Sequence, residues 1–349
     1  MIAIRVDANE HIASGHVMRC LSIAEALHEL GVETLFFTSD YYAEEMIAKR
    51  GFRAICLNND WNDKDSELDQ LIPLLRENLP GLLLIDSYQV TERYLTELHR
   101  VVKLAYIDDL NAFDYTVDIV INYSVYAEEL DYPPGKTYLL GMEYAPLRKQ
   151  FNISEETLKR AIEDRRKNKQ ILVTTGASDP YGIAGKIVRE ILKQPEFEKY
   201  QIAVVKGKFW DTNIFDQNNT DALGENAPER IILHENVENM AELMLESSMA
   251  VSTGGSTLYE LCACCVPTIT ISYADNQLGN VKGFADRKIM AYCGDVRDEM
   301  FSYKNLIDNL ITCDRNIDII VEKMNTMHQG SARGALHLAK SIMGPRTFT

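Results

Sequence analysis

No run of eighteen or more apolar residues occurs in this 349-residue sequence, so no membrane-spanning helix is expected. The amino-terminal stretch "MIAIRVDANE" carries Arg5 and Asp7 inside its apolar run, unlike a signal peptide. The seven cysteines have neither the spacing of a disulfide framework nor that of a zinc site. Cys262, Cys264 and Cys265 stand at i, i+2 and i+3 of an expected helix with no second pair, and read as small buried residues. Scattered thiols in odd number fit a reducing, cytoplasmic compartment. Positive charge is also scarce, 36 Lys and Arg against 52 Asp and Glu, for a formal net charge of −16. Such a field disfavours nucleic acid and anionic membrane surfaces as partners. A small phosphorylated ligand stays admissible, because helix amino termini hold phosphate against an unfavourable global charge. Low-complexity segments and short repeats are absent.

What is present is alternation. Apolar, β-rich runs at 2–7, 33–39, 53–57, 82–86, 103–108, 118–122 and 137–141 are separated by helix-period segments. "VMRCLSIAEALHEL" places Val17, Leu21, Ala24 and Leu27 on one face, with Gly31 as the expected stop. "YYAEEMIAKRG" and "SELDQLIPLLREN" read as further helices. A polar, charged segment at 154–169 follows, and the pattern resumes with "QILVTTG", "YQIAVVKG", "RIILHE", "SMAVST" and "TITIS". The expected fold class is α/β, with two Rossmann-like domains facing across a cleft and ligands at the carboxyl ends of the strands. The expected boundaries are 1–150 for the first domain and 151–330 for the second, with a carboxyl-terminal helix over 331–349 packing back on the first.

Three strand exits carry polar chemistry. In "STGGSTLYEL" (252–261) a strand runs into Gly254 and Gly255, and Ser256 and Thr257 open a helix. That geometry suits a phosphate, and equally a plain turn with a serine cap. No Gly-Lys-Ser/Thr follows the glycine pair, so this is not a Walker loop. Glu260, one turn on, is placed to meet a ribose hydroxyl or simply to face solvent. "TTGASDP" (174–180) has Gly176 at a second strand exit, where Asp179-Pro180 is also ordinary turn chemistry. "ADNQLGN" (274–280) offers Asn276 as a cleft amide or as a helix cap. Asp108-Asp109 ends another strand, as a cation site or as a turn cap. Gly15-His16 lies where the first amphipathic helix begins. A neutral imidazole there is available as a base, or is a packed residue at the helix start.

Taken together, "RVDAN", "SGHVMRCLSIAEAL", "IDSY", "IDD", "LVTTGASDP" and "GGSTLYELCACCVPTITISYADNQ" resemble one family, in order, from residue 4 to about 288. It is the bacterial UDP-2,4-diacetamido-2,4,6-trideoxy-β-L-altropyranose hydrolases of pseudaminic acid biosynthesis. That family is similar in fold to the two-domain B-type (GT-B-like) glycosyltransferases, particularly the lipid-linked peptidoglycan N-acetylglucosaminyl transferase. The resemblance implies His16 as the catalytic base, and Gly15, Tyr88, Arg148 and Asn276 as sugar contacts. It implies Gly176, Gly254, Gly255, Ser256, Thr257 and Glu260 as the UDP site. Ala13 departs from the family's usual glycine two residues before Gly15, and a methyl there restricts the loop. The implied substrate is a UDP-linked diacetamido sugar, with no metal, no other cofactor and no obligate protein partner. A glycosyltransferase of the same architecture is the alternative. The acidic loops "NNDWNDKDSELDQ" and "NAFDY" give a lipid acceptor little to hold. A nucleotide-sugar-binding regulator with a decayed site is a third reading, and His16, Glu260 and Asn276 together argue against it.

Overall fold

The computed structural model describes residues 1–344 apart from 10, 11, 13, 177, 208, 209, 211–227 and 332. The chain divides into two compact units, Met1–Lys149 with the segment from Arg333 onward, and Gln150–Ala332. Each is a parallel α/β layer structure.

In the first unit the strands are β1 (Ile2–Val6), β2 (Thr34–Thr38), β3 (Arg53–Cys56), β4 (Leu82–Asp86), β5 (Leu104–Ile107), β6 (Ile119–Asn122) and β7 (Thr137–Leu140). Among the described residues they form one seven-stranded sheet in the order β3-β2-β1-β4-β5-β6-β7, every pair parallel. Helices cover such a sheet on both faces, so its central strands read as unbroken apolar runs such as "LLLID". The helices between these strands are α1 (Gly15–Glu29), α2 (Tyr41–Lys49), α3 (Leu68–Asn78) and α4 (Glu92–His99). After β3 the chain returns to the far side of β1, so β1 and β4 are neighbours whose connections leave in opposite directions. Val6 pairs with Asp86, which sets the loops after these two strands side by side in the crevice such a reversal opens.

Arg5 interrupts the apolar pattern of β1 yet is fully buried. It holds Glu67 through two bonds of 2.7 and 2.6 Å and Asp7 through one of 2.6 Å. Lys64 Nζ reaches the other oxygen of Asp7 at 2.5 Å, and Tyr94 Oη donates to Glu67 at 2.6 Å. Four charges of zero net sum are thereby sealed at the start of the loop that leads from β1 to α1.

The second unit repeats the plan. Its strands β8 (Gln170–Thr174), β9 (Gln201–Lys206), β10 (Ile231–Glu235), β11 (Met249–Thr253), β12 (Thr268–Ser272) and β13 (Ala291–Asp295) lie in the order β10-β9-β8-β11-β12-β13. The reversal falls between β8 and β11, where Thr174 pairs with Ser252. The described helices are α5 (Glu155–Asn168), α6 (Ile183–Leu192), α7 (Met240–Glu246), α8 (Thr257–Ala263), α9 (Leu278–Asp286), α10 (Tyr303–Arg315) and α11 (Ile317–Ser331).

The segment 154–169, read from the sequence only as polar, holds α5 and the residues that flank it. Ser154 caps it, accepting from the Thr157 N–H at 3.2 Å. Its buried Arg165 donates to the carbonyls of Ser247 and Cys264, at the ends of α7 and α8, where a cation is favoured. α12 (Gly334–Met343) belongs to the first unit and packs on α1. It starts so close to the 142–145 turn that a Cβ on Gly334 would stand 2.1 Å from the Ala145 carbonyl oxygen. Only glycine fits there.

Candidate active site

The loop after β1 delivers Gly15 and His16 as the first two residues of α1, and β4 ends in Asp86. Ser14 precedes the helix without making a side-chain cap, so the imidazole is held from elsewhere. His16 Nδ1 lies 2.6 Å from Asp86 Oδ1. Asp86 is 1% exposed. Burial alone would raise its carboxyl, but Arg19 and then His16, by charge and by hydrogen bond, hold it well below the usual carboxylate range. An ionised carboxylate only accepts, so Nδ1 carries a proton, and the tautomer this selects in the neutral ring has its lone pair on Nε2. The His16 side chain keeps 14% of its surface. Such a pairing can serve chemically as a carboxylate-oriented general base.

Arg19, one turn along α1, binds both oxygens of Asp86, Nε to Oδ2 at 2.6 Å and Nη2 to Oδ1 at 2.5 Å. It also binds both oxygens of Asp109, at 3.2 and 2.9 Å, and donates to Tyr123 Oη at 2.7 Å. Its Nη2 stands 3.1 Å from His16 Nδ1. With Nδ1 protonated, these are two donors converging on one carboxylate oxygen. Tyr88 Oη donates to Asp109 Oδ2 at 2.8 Å, and the Tyr88 ring meets the His16 ring edge-on, centroids 4.8 Å apart. Burial, then the Asp109 charge, pushes the Tyr88 phenol far above its usual range, so it stays a donor. The preceding Asp108 closes a turn, accepting from the Leu110 and Asn111 N–H groups at 2.9 and 2.8 Å and from Tyr115 and Tyr132.

His16 and Tyr88 are therefore brought together. Arg148 is half-buried in the connection after β7, the far edge strand of that sheet. Ala13 lies outside the described residues. Sequence reasoning missed Asp86, Arg19 and the part played by Asp109. The i+3 spacing of His16 and Arg19 was a usable signal, since it puts both on one helix face.

In the second unit the glycine-bearing exits of β8 and β11 lie side by side. Gly176 has a φ of +87°, and Thr253 Oγ1 donates to the neighbouring Thr175 carbonyl at 3.1 Å, tying the two loops. The two glycines of "GGST" have different reasons. A Cβ on Gly254 would stand 2.7 Å from Val281 Cγ1 and 2.8 Å from both Gln277 Cβ and the Gln277 carbonyl oxygen. Glycine is needed there because α9 and the turn before it pack against the loop. At Gly255 a Cβ would meet nothing within 4 Å, so this is the position with open space. Ser256 is exposed and its hydroxyl makes no capping bond; Thr257 and Glu260 are half-buried on α8. Asn276 is exposed in the 3-10 turn Asp275–Gln277, which Ala274 rather than Asn276 precedes as cap residue. Asp179 accepts from the Ile183 and Ala184 N–H groups at 2.7 and 3.0 Å, serving the start of α6. Gly176, Gly254–Thr257 and Asn276 thus share the carboxyl-terminal ends of β8, β11 and β12. Among the described residues no three His, Cys, Asp or Glu side chains form a group suited to a metal ion.

The contrast between the two glycines gives a stability test. Gly254→Ala should cost about 1–3 kcal/mol by overpacking, and Gly255→Ala less than about 1 kcal/mol. Urea denaturation of the two variants measures the difference, and equal losses would contradict the packing account.

Residues 170–338 match the glycosyltransferase family 28 C-terminal domain. The chain is 28% identical over 280 residues to an uncharacterized protein of Methanocaldococcus jannaschii, covering 77% of this chain and 55% of that protein. It is 22% identical over 278 residues to the pseudaminic acid cytidylyltransferase and UDP-2,4-diacetamido-2,4,6-trideoxy-β-L-altropyranose hydrolase of Helicobacter pylori, covering 77% and 44%. The chain thus spans about half the length of these two relatives. Its fold is like that of MurG from Acinetobacter baumannii, with a TM-score of 0.71 at 13% identity over 99% of this chain and 100% of that one. Two Rossmann-like units and these likenesses define a GT-B-like fold. The family 28 match and the name of the Helicobacter pylori relative are consistent with a sugar-nucleotide-processing enzyme, and transfer and hydrolysis fit them equally. No described helix is long and apolar enough to cross a membrane.

Proposed function

We propose that the protein hydrolyses a UDP-linked 2,4-diacetamido-2,4,6-trideoxyhexose, the β-L-altro sugar, to UDP and the free sugar. The observation that carries this is the 2.6 Å pairing of His16 Nδ1 with an ionised, buried Asp86, which leaves Nε2 to accept a proton. A water oxygen attacks the anomeric carbon as its proton passes to Nε2. The bond from that carbon to the β-phosphate oxygen breaks, and its electron pair leaves with UDP. Gly176, Gly254, Gly255, Ser256 and Thr257 hold the nucleotide, and Glu260 accepts from the ribose. Gly15, Tyr88, Arg148 and Asn276 contact the sugar. The hydrolase activity in the name of the Helicobacter pylori relative supports this choice of reaction.

The family 28 match favours a second reading, in which an acceptor hydroxyl replaces water before the same base. One experiment separates them. Purified protein is given the UDP-sugar in 18O-labelled water with excess EDTA and no acceptor. The expected result is continued UDP release with one labelled oxygen in the free sugar. Label in UDP would mean attack at phosphorus, and turnover only on adding an acceptor would establish the transferase.

A further inference from the structure

We propose that Arg19 is the positioning residue of the first unit's site, orienting His16 through Asp86 and Tyr88 through Asp109. The inference rests on the reading of His16 as the base. The two side chains that face the reactant reach the fold through carboxylates, and one guanidinium grips all four of their oxygens. Without Arg19, Asp86 keeps His16 and a long contact from Cys20 Sγ at 3.5 Å. Its carboxylate is then free to turn, and the imidazole loses the fixed acceptor that keeps the proton on Nδ1. Asp109 likewise keeps Tyr88 but loses what holds it in place. The planar fork is the reason for arginine here, since a lysine supplies the charge at one point and cannot span two carboxylates. Tyr123 completes the arrangement by accepting from Nη1 at 2.7 Å, with the guanidinium 5.6 Å from its ring centroid. Among the described residues, the groups facing His16 are Asp86 and Tyr88 from the end of β4 and the loop after it, and Arg19 from its own helix.

The test uses nitrogen NMR of histidine-labelled full-length protein, with the His16 signals assigned by their loss in His16→Gln. Wild type should show a single form protonated at Nδ1. Arg19→Gln should show a mixture of the two tautomers. Arg19→Lys, which keeps a cation between the carboxylates and guards against a variant that does not fold, should show it too. UDP affinity, read on the second unit, should stay within about twofold in both. Where the UDP-sugar is turned over, kcat should fall roughly tenfold to a hundredfold in both variants. Asp109→Asn should instead raise KM about tenfold, since it releases Tyr88 while leaving the His16 tautomer as in wild type. A single Nδ1-protonated form in both Arg19 variants overturns the inference. Tautomer mixing supports it even if wild type fails to release UDP, a failure that would sink the hydrolase reading alone.

Discussion

Asp86→Asn should lower turnover by about a thousandfold or more, and His16→Ala or His16→Asn by at least about a hundredfold, with UDP binding retained in all three. The aspartate variant has the larger effect for a reason of sign. An asparagine of the same shape can turn its amide N–H₂ toward Nδ1, which must then accept, so the ring proton moves to Nε2. The base is still present but its lone pair faces the wrong way. In addition Arg19 loses the anion it grips through both oxygens. Losing His16 removes the proton acceptor, yet leaves the Asp86–Arg19 pair intact and water free to attack slowly. Steady-state UDP release gives the rates, and titration calorimetry with UDP checks that the second unit still binds. Turnover within tenfold of wild type in Asp86→Asn would remove the aspartate from the proton path. Near-normal turnover in both His16 variants would return that histidine to a packing role.

Much of the architecture was legible because parallel strands buried on both faces leave a coarse signature. "IAIRVD", "LLLID" and "TITIS" are continuous apolar runs, and the structure has strands there. β13, "AYCGD", went unread because an edge strand with a glycine and an aspartate, mostly half-buried, carries no such run. α5 was hidden for another reason. Its buried side chains include Leu158 and Arg165, and a helix that packs partly through a guanidinium looks like a solvated linker. At the candidate site, His16 was singled out by its place at the first helix start and Tyr88 by resemblance, whereas the side chains that hold them were not. Asp86 is 70 residues from His16, and Asp109 is 90 from Arg19. Only the strand order, which sets β1 beside β4 and β4 beside β5, brings them together. The glycines show a similar limit. The sequence says that Gly254 and Gly255 differ from their neighbours, but only packing tells that one accommodates α9 and the other leaves space.

The largest stability effect is expected at the sealed charges beneath the β1–α1 loop. Arg5 and Lys64 face Asp7 and Glu67 with essentially no solvent, so the set is tolerated because it is paired and neutral in sum. Glu67→Gln keeps the shape but leaves two cations against one carboxylate. It should cost about 3–5 kcal/mol, the scale for stranding a buried charge. Lys64→Met alone leaves the opposite imbalance and should cost a similar amount. Combined, the two changes restore neutrality with Arg5 and Asp7 still bonded at 2.6 Å, so the double variant should lose clearly less than the sum. Acid should expose the same balance. Burial alone would raise both carboxyls, but Arg5 first, and Lys64 with it, holds Asp7 and Glu67 below their ordinary values. Their contribution is therefore complete above about pH 4–5, where the unfolded carboxyls are ionised, and is lost as pH falls further toward their folded values. The gap between wild type and Glu67→Gln should narrow over that descent. Urea denaturation of the four proteins at pH 7, and of wild type and Glu67→Gln at pH 3, measures both effects. Strict additivity at pH 7 would show that the four side chains act as separate contacts. Coupling would show one charge-balanced unit, fixing the end of β1 from which the chain sets out toward His16.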